Sequence, residues 1–160
     1  MNFNLRKATV EDVPTVLELI KGLAAYEKLS HEVTATEEQL IRFGFGEEKY
    51  FEILVAETSR DTAIGFAFYF FTFSTFLAKP ILYLEDLFVL PEYRGHGVGK
   101  ALLKELAGIA LQKDCWRMEW WVLDWNEPAI EFYRSLDAVP MSEWTTFRLN
   151  REALEKLAKN

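Results

Sequence analysis

Two adjacent carboxylates, Glu85 and Asp86, interrupt the apolar run Tyr83-Leu84-Glu85-Asp86-Leu87-Phe88-Val89, and Arg94-Gly95-His96-Gly97-Val98-Gly99-Lys100 follows shortly after it. Carboxylates in such a place can bind a cation and accept a proton. The glycines remove side chains where backbone N–H groups must approach a ligand. The apolar periodicity beyond them marks a helix whose first turn offers unpaired donors and a positive dipole end. Together these features describe an anion cradle suited to phosphate. Ala101 lacks the hydroxyl that a P-loop uses for Mg²⁺, and Lys100 stands where a dinucleotide fingerprint needs glycine, so both of those loops are excluded. Three spaced glycines are also compatible with a plain tight turn from strand to helix.

Periodicity then indicates the elements that must hold these residues. A short strand is expected over 3–7, after which Thr9 can cap a helix, with Asp12 in the place where capping boxes carry a carboxylate. Val13, Val16, Leu17, Ile20, Leu23 and Ala24 recur at helical spacing. A second helix runs from Thr36 to about Phe43 and is stopped by Gly44. Residues 51–57 and 63–74 form a hairpin around Ser59-Arg60-Asp61-Thr62, and 81–90 is a further strand closed by Pro91. Strand alternation puts Glu85 and Asp86 on opposite faces, so one can be catalytic while the other is structural. Leu102, Leu103, Leu106, Ala110 and Leu111 stripe the helix after the glycines. Residues 116–123 read as a strand, Asn126-Glu127-Pro128 as a helix start with Asn as cap, and 144–149 as a final strand. A mixed sheet flanked by helices results.

Composition bounds the possibilities. The chain has 160 residues, 50% of them hydrophobic, with no repeat or linker, which suits a single domain over 1–160. Its net charge of −7 argues against nucleic acid as a partner and favours a cationic substrate. The longest apolar run, 63–78, falls short of the roughly 20 residues a membrane span needs and reads as a buried Phe-rich strand. No basic-then-apolar leader opens Met1-Asn2-Phe3-Asn4, and the lone Cys115 can make no internal disulfide, so a cytoplasmic protein is expected. Cys115 reads as a small core residue and not a nucleophile, and His31 and His96 are too far apart in context to imply a metal site.

The segment 94–99 resembles the Arg/Gln-x-x-Gly-x-Gly/Ala pyrophosphate loop of the GNAT superfamily of acyl-CoA-dependent N-acetyltransferases, and the order of elements is similar to that fold over nearly the whole chain. The resemblance narrows to the diamine, or spermidine/spermine, N-acetyltransferase branch. Leu84-Glu85-Asp86-Leu87-Phe88-Val89, Trp125-Asn126-Glu127-Pro128-Ala129-Ile130 and Phe132-Tyr133 carry it, with Ala24-Ala25-Tyr26-Glu27 and Gly44-Phe45-Gly46-Glu47 upstream. It implies an α/β fold with a mostly antiparallel mixed sheet, a splayed strand pair holding acetyl-CoA, and a homodimer. The exposed share of 66–76 would offer the dimer a contact surface.

Such an enzyme faces a defined chemical problem. A primary alkylamine of pKa about 10.4 is neutral in only on the order of one molecule in 10³ at pH 7, so deprotonation costs about 4 to 5 kcal/mol. The site must accept that proton, stabilise an oxyanion, and protonate the departing thiolate. The resemblance implies that Glu85 contacts the amine and takes its proton directly or through water. It implies that Tyr133 is the general acid toward sulfur, a role suited to a phenol of pKa about 10 facing a thiolate of about 8.5. Read from the residues alone, Glu85 could instead be a solvated edge carboxylate and Tyr133 a core aromatic beside Phe132.

By the same resemblance, backbone groups of Leu87, Phe88 and Val89 face the thioester. The pyrophosphate falls to Arg94, Gly95, His96, Gly97, Val98, Gly99 and Lys100, and further cofactor contacts fall to Asn126, Glu127, Pro128 and Ala129. Tyr26, Glu27, Glu119, Trp120 and Trp121 match segments lining the amine channel, where carboxylates and aromatic faces would hold a cation. Trp120, Trp121 and Trp125 could equally be packing residues. Glu143 matches a distal acidic residue only across a shortened loop. Direct attack within a ternary complex is expected. Two departures stand out: Asp137 replaces a usual glycine, and 137–143 is shorter than in the animal polyamine enzymes, which shifts the expected preference toward shorter diamines or amino acids. The alternatives are a peptide N-acetyltransferase with an open groove and a non-catalytic CoA-binding sensor.

Overall fold

A computed structural model describes residues 1–59 and 62–159. The chain divides into two compact units, Met1–Trp121 and Val122–Asn160. In the first unit, β1 (Phe3–Lys7), β2 (Glu52–Thr58), β3 (Ala63–Ser74), β4 (Lys79–Val89) and β5 (Met118–Trp120) form one sheet in chain order. All neighbours are antiparallel except β4 and β5, which are parallel. The helices of this unit are α1 (Val13–Tyr26), α2 (Glu37–Phe45) and α3 (Val98–Gln112). This is the mixed, mostly antiparallel α/β sheet expected from the sequence. Of the expected β2–β3 turn, Arg60 and Asp61 lie outside the described residues.

Strand alternation explains the two-sided core. Ile53, Val55, Phe66 and Phe88 point to the face where Val16 and Leu19 of α1 pack. Leu54, Ala67, Tyr69, Leu82 and Leu84 alternate with them and are buried toward α3, whose Leu102 and Leu106 are also buried. Arg6 fastens β1 to its surroundings, donating to both oxygens of Asp12 at 2.6 and 2.8 Å and to Glu57 at 2.8 Å. Asp12 closes a capping box with Thr9, and its carboxyl is held down to about 2 by the Arg6 guanidinium. Thr36 and Gln39 exchange the same pair of bonds at the start of α2. No helix among the described residues is long and apolar enough to cross a membrane.

Several boundaries differ from expectation. α2 continues through Gly44 to Phe45 and ends at Gly46. Gly44 instead seats the helix on Phe51, whose ring would stand 2.4 Å from an added Cβ. The strand expected over 116–123 is only three residues long. In the second unit, α4 (Glu127–Arg134) is as expected, but 144–149 forms no strand. Trp144 and Phe147 there are exposed, so its apolar alternation has no sheet face to bury. A helix not anticipated, α5 (Arg151–Lys159), follows it. The side-chain oxygen of Asn150 accepts from the Ala153 N–H at 2.9 Å, and Arg151 bonds Glu155 one turn on, both of which are helix-start signals visible in the sequence.

Candidate active site

The site is built on an irregular strand. Opposite β4, Phe68 pairs with Asp86 while the next residue, Tyr69, pairs with Leu84, leaving Glu85 as the extra residue of a β-bulge. On the other edge, the ladder to β5 covers only Leu82–Leu84. From Glu85 to Val89, β4 is therefore laddered to β3 alone. This is the splay expected for the strand pair, and it leaves backbone groups of 85–89 outside any ladder on that edge.

The bulge sorts the two carboxylates. Glu85 is exposed, whereas Asp86 is largely buried and its carboxyl is pushed up to about 7, first by burial and then by the negative charges of Glu85 and Glu27. Glu27, just past the end of α1, is also raised, by burial. Tyr83 lies under the same field. Burial, Glu85, Glu119 and Asp86 push its phenol up to about 12. Its register partner on β5 is Glu119, which accepts a hydrogen bond from Arg117, and its ring meets Trp121 edge-on at 6.2 Å. Trp120 pairs in register with Leu84. The fold thus gathers Glu27, Glu85, Asp86 and Glu119 around one half-strand, with Tyr83 among them. Sequence reasoning placed the proton acceptor at Glu85 and did not single out Tyr83 or Asp86, which the fold sets in the same acidic surroundings. The carboxyl pushed up toward neutrality is that of Asp86, the half-buried neighbour of Glu85.

The same strand runs into the glycine loop. A 3-10 turn, Pro91–Tyr93, leads to Arg94, whose Nε donates to the Val89 carbonyl at 2.9 Å. Gly95 and Gly97 take φ values of +76° and +83°, in the left-handed region that only glycine enters freely, and an added Cβ at either would meet nothing within 4 Å. The backbone is open there to an approaching group. Val98 is buried and anchors the start of α3, while His96 and Lys100 are exposed beside it. Gly97 is the residue before the helix, and its carbonyl accepts from Ala101 N–H at 2.9 Å, so the N–H groups of the first turn remain as anion donors. These residues fit a diphosphate.

In the second unit, Tyr133 sits near the end of α4 with its ring 5.5 Å from that of Phe132. Pro128 occupies the first turn, beside Glu127 and Ala129. Asn126 precedes the helix and is buried, but its side chain makes no capping bond, which corrects the expectation that it acts as a cap. Its carbonyl accepts from Ile130 N–H instead. Asp137 adopts φ +62° as α4 ends, with Ala138 N–H bonding the Tyr133 carbonyl. The replacement of glycine is thus accommodated by the tolerance of Asp for left-handed geometry. Glu143 is exposed in a turn.

An open cavity of about 840 Å³ lies elsewhere on the first unit, lined by Lys7, Thr9, Phe45, Tyr50, Glu52 and Phe71 among others. It contains none of the carboxylates or glycines just described. Chemistry, not volume, therefore locates the site.

Comparison with known proteins agrees with this geometry. Residues 16–137 match the acetyltransferase (GNAT) family. A thialysine N-epsilon-acetyltransferase from Sus scrofa is 40% identical over 96% of this chain and 96% of its own length. A human protein named spermidine/spermine N(1)-acetyltransferase-like protein 1 is 39% identical over 98% of this chain and 24% of its own length. An integron cassette protein from the mobile metagenome of V. cholerae superposes with a TM-score of 0.82 at 28% identity, covering 100% of this chain and 99% of that one. The family match spans most of the chain, including β4 and the glycine loop, and the chain belongs to the acetyltransferase (GNAT) family of acetyl-CoA-dependent acyltransferases.

Proposed function

We propose that the chain acts as one acetyltransferase domain that moves the acetyl group of acetyl-CoA directly to a primary amine of a small cationic acceptor: a diamine, polyamine or diamino acid. One observation carries this reading: on the half-strand that runs into the anion-binding loop, Asp86 lies in the field of its neighbour Glu85 and of Glu27, just past the end of α1. Mutual repulsion and burial make the empty cluster costly to ionise, and an entering ammonium group relieves both. The names of the relatives from Sus scrofa and Homo sapiens support acceptors of this class. The short segment 137–143 favours diamino acids and short diamines over spermine.

In this reading Asp86, poised near neutrality, accepts the proton of the bound ammonium, and Glu85 holds the charge at the rim, directly or through water. Glu27, Tyr26, Glu119, Trp120 and Trp121 orient the rest of the acceptor, while Glu143 contributes at its distal end. The amine lone pair then attacks the thioester carbonyl. Backbone N–H groups of Leu87–Val89 receive the developing oxyanion, the C–S bond breaks, and Tyr133 gives its proton to the departing sulfur. Arg94 to Lys100 hold the diphosphate, with Asn126 to Ala129 as further contacts. No metal is required. The protein is further proposed to work in the cytoplasm as a homodimer, to which the exposed rings of Phe71, Phe73 and Phe76 offer an apolar surface.

The test is initial-rate CoA release from acetyl-CoA with thialysine, ornithine, lysine, putrescine, spermidine and spermine as acceptors, run beside Tyr133→Phe, Glu85→Gln and Asp86→Asn. Saturable turnover on a short diamino compound, cut strongly by Tyr133→Phe and Asp86→Asn, is the expected result. Preference for spermine over every shorter amine would overturn the assigned chain length. Binding of acetyl-CoA without turnover on any amine would redirect the reading to a peptide acceptor or a CoA sensor.

A further inference from the structure

Arg94 does more in this structure than open the glycine loop. Its guanidinium carbon lies 4.6 Å from the centre of the Tyr26 ring and 5.5 Å from that of Phe88, while its Nε is committed to the Val89 carbonyl. Three elements meet at this one side chain: the last turn of α1, the end of β4 and the first residue of the loop. The seat beneath it is tight. Gly22 of α1 rests against the Phe88 ring, which would stand 3.1 Å from an added Cβ. Tyr26 immediately precedes Glu27, whose charge is felt at Asp86. A single guanidinium therefore joins the segment that faces the acceptor to the loop that faces the diphosphate. A planar, permanently charged group with a directed Nε–H is suited to this, because it stacks on a ring and fixes a carbonyl at the same time, which Lys cannot do.

We propose that Arg94 is a positioning residue that couples the glycine loop to the acceptor end of α1 through its stack on Tyr26, so that CoA in the loop and an amine at the acidic cluster favour each other's binding. The coupling rests on the amine acetyltransferase reading given above, and it is reciprocal by thermodynamic necessity. An exposed cation–ring contact corresponds to about a 2- to 5-fold change in an equilibrium constant.

The test measures the affinity of CoA by calorimetry, with no amine and again with saturating thialysine, on the wild-type chain, Tyr26→Phe, Tyr26→Leu, Arg94→Met and the Tyr26→Leu/Arg94→Met double variant. Thialysine should tighten CoA in the wild type and in Tyr26→Phe but not in Tyr26→Leu or Arg94→Met, and equal tightening in all of them would overturn the coupling. Tyr26→Leu is expected to weaken CoA by about 2- to 5-fold although Tyr26 lies outside the loop, and Tyr26→Phe, which keeps the ring face, restores it. The double variant should bind no worse than Arg94→Met alone, because both substitutions remove one contact. Thermal melts of the same samples confirm that each variant is folded at the assay temperature, and Tyr26 and Arg94 are exposed enough for truncation to be tolerated. Unchanged CoA affinity in Tyr26→Leu, or penalties that add in the double variant, would overturn the coupling while leaving the acetyltransferase reading in place. Failure of the wild-type chain to bind CoA would overturn both.

Discussion

Strand β4 is two strands in character. From Lys79 to Leu84 it is a regular member of the sheet, in register with β3 and, at Leu82–Leu84, with β5, and it buries Ile81, Leu82 and Leu84. From Glu85 to Val89 it has a bulge, a ladder on one side only, and a half-buried carboxyl among other negative charges. Past Pro80 at its start, the first half reads as a regular strand, laddered on both edges at Leu82–Leu84, and the second departs from that regularity in three ways. Broken rules at one place are the signature of a site that the rest of the fold stabilises. The comparison teaches that the regular half exists to hold the irregular half in position.

Substitutions in the two halves should therefore have opposite signatures. The largest effect is expected from Asp86→Asn, which keeps the shape of the side chain and removes the proton acceptor: kcat/KM should fall by about 10² to 10⁴ in the amine assay. The same substitution should stabilise the fold at neutral pH. The folded carboxyl titrates near 7 and the unfolded one near 3.8, so the wild-type fold binds its proton more tightly than the unfolded chain does. Its stabilising effect is complete below about pH 4 and is lost as pH rises through about 7. The loss approaches about 4 kcal/mol, and Asp86→Asn should lack it. Denaturant midpoints of both proteins measured from pH 4 to pH 8 check the sign. A wild-type chain that gains stability relative to the variant over that range would break the comparison. In activity, turnover by the wild-type enzyme should rise toward neutral pH as Asp86 ionises.

Leu82→Ala in the regular half should do the reverse. Leu82 is fully buried, and its truncation should cost about 2 to 5 kcal/mol in a denaturation experiment while the pH dependence of kcat stays as in the wild type. A shifted pH profile in this variant would mean that the two halves are not separable. The smallest of these effects is expected in the glycine loop beyond the irregular half. Gly97→Ala forces a Cβ into left-handed geometry at about 1 to 2 kcal/mol, and because the surrounding space is open, the cost falls on the backbone shape that meets the diphosphate. CoA affinity should drop by about 5- to 30-fold with the amine KM little changed.

Much of this was legible in the residues themselves. Thr9 with Asp12 closes the 3-10 turn that leads into α1, and Thr36 with Gln39 starts α2; each pair acts within four residues, so both follow from local chemistry. The period-2 and period-3.6 runs gave β1 to β4, α1 and α3 nearly to their ends, because those patterns record which side faces a core, and Asn126-Glu127-Pro128 marked the start of α4. The glycine loop was legible for the same reason, since positive φ at Gly95 and Gly97 is a property of the local chain. The strand expected over 144–149 failed because alternation states what a segment could bury and not whether a sheet edge is there to receive it.

What the sequence determined by itself was therefore the elements from β1 to α4, the anion loop and the presence of two carboxylates where one would serve. Which carboxyl is the more buried, and that Glu27 comes close enough to act on it while Glu119 comes beside Tyr83, was decided by tertiary structure alone. The bulge at Glu85 depends on how β3 registers against β4, and the field at Asp86 depends on charges brought in from α1 and felt through low-dielectric surroundings. The stack of Arg94 on Tyr26 belongs to the same class, since no local rule relates residues so far apart in the chain. Local backbone preference is written in neighbouring residues, whereas register, burial and electrostatic coupling are sums over contacts that come into being only when the chain has folded.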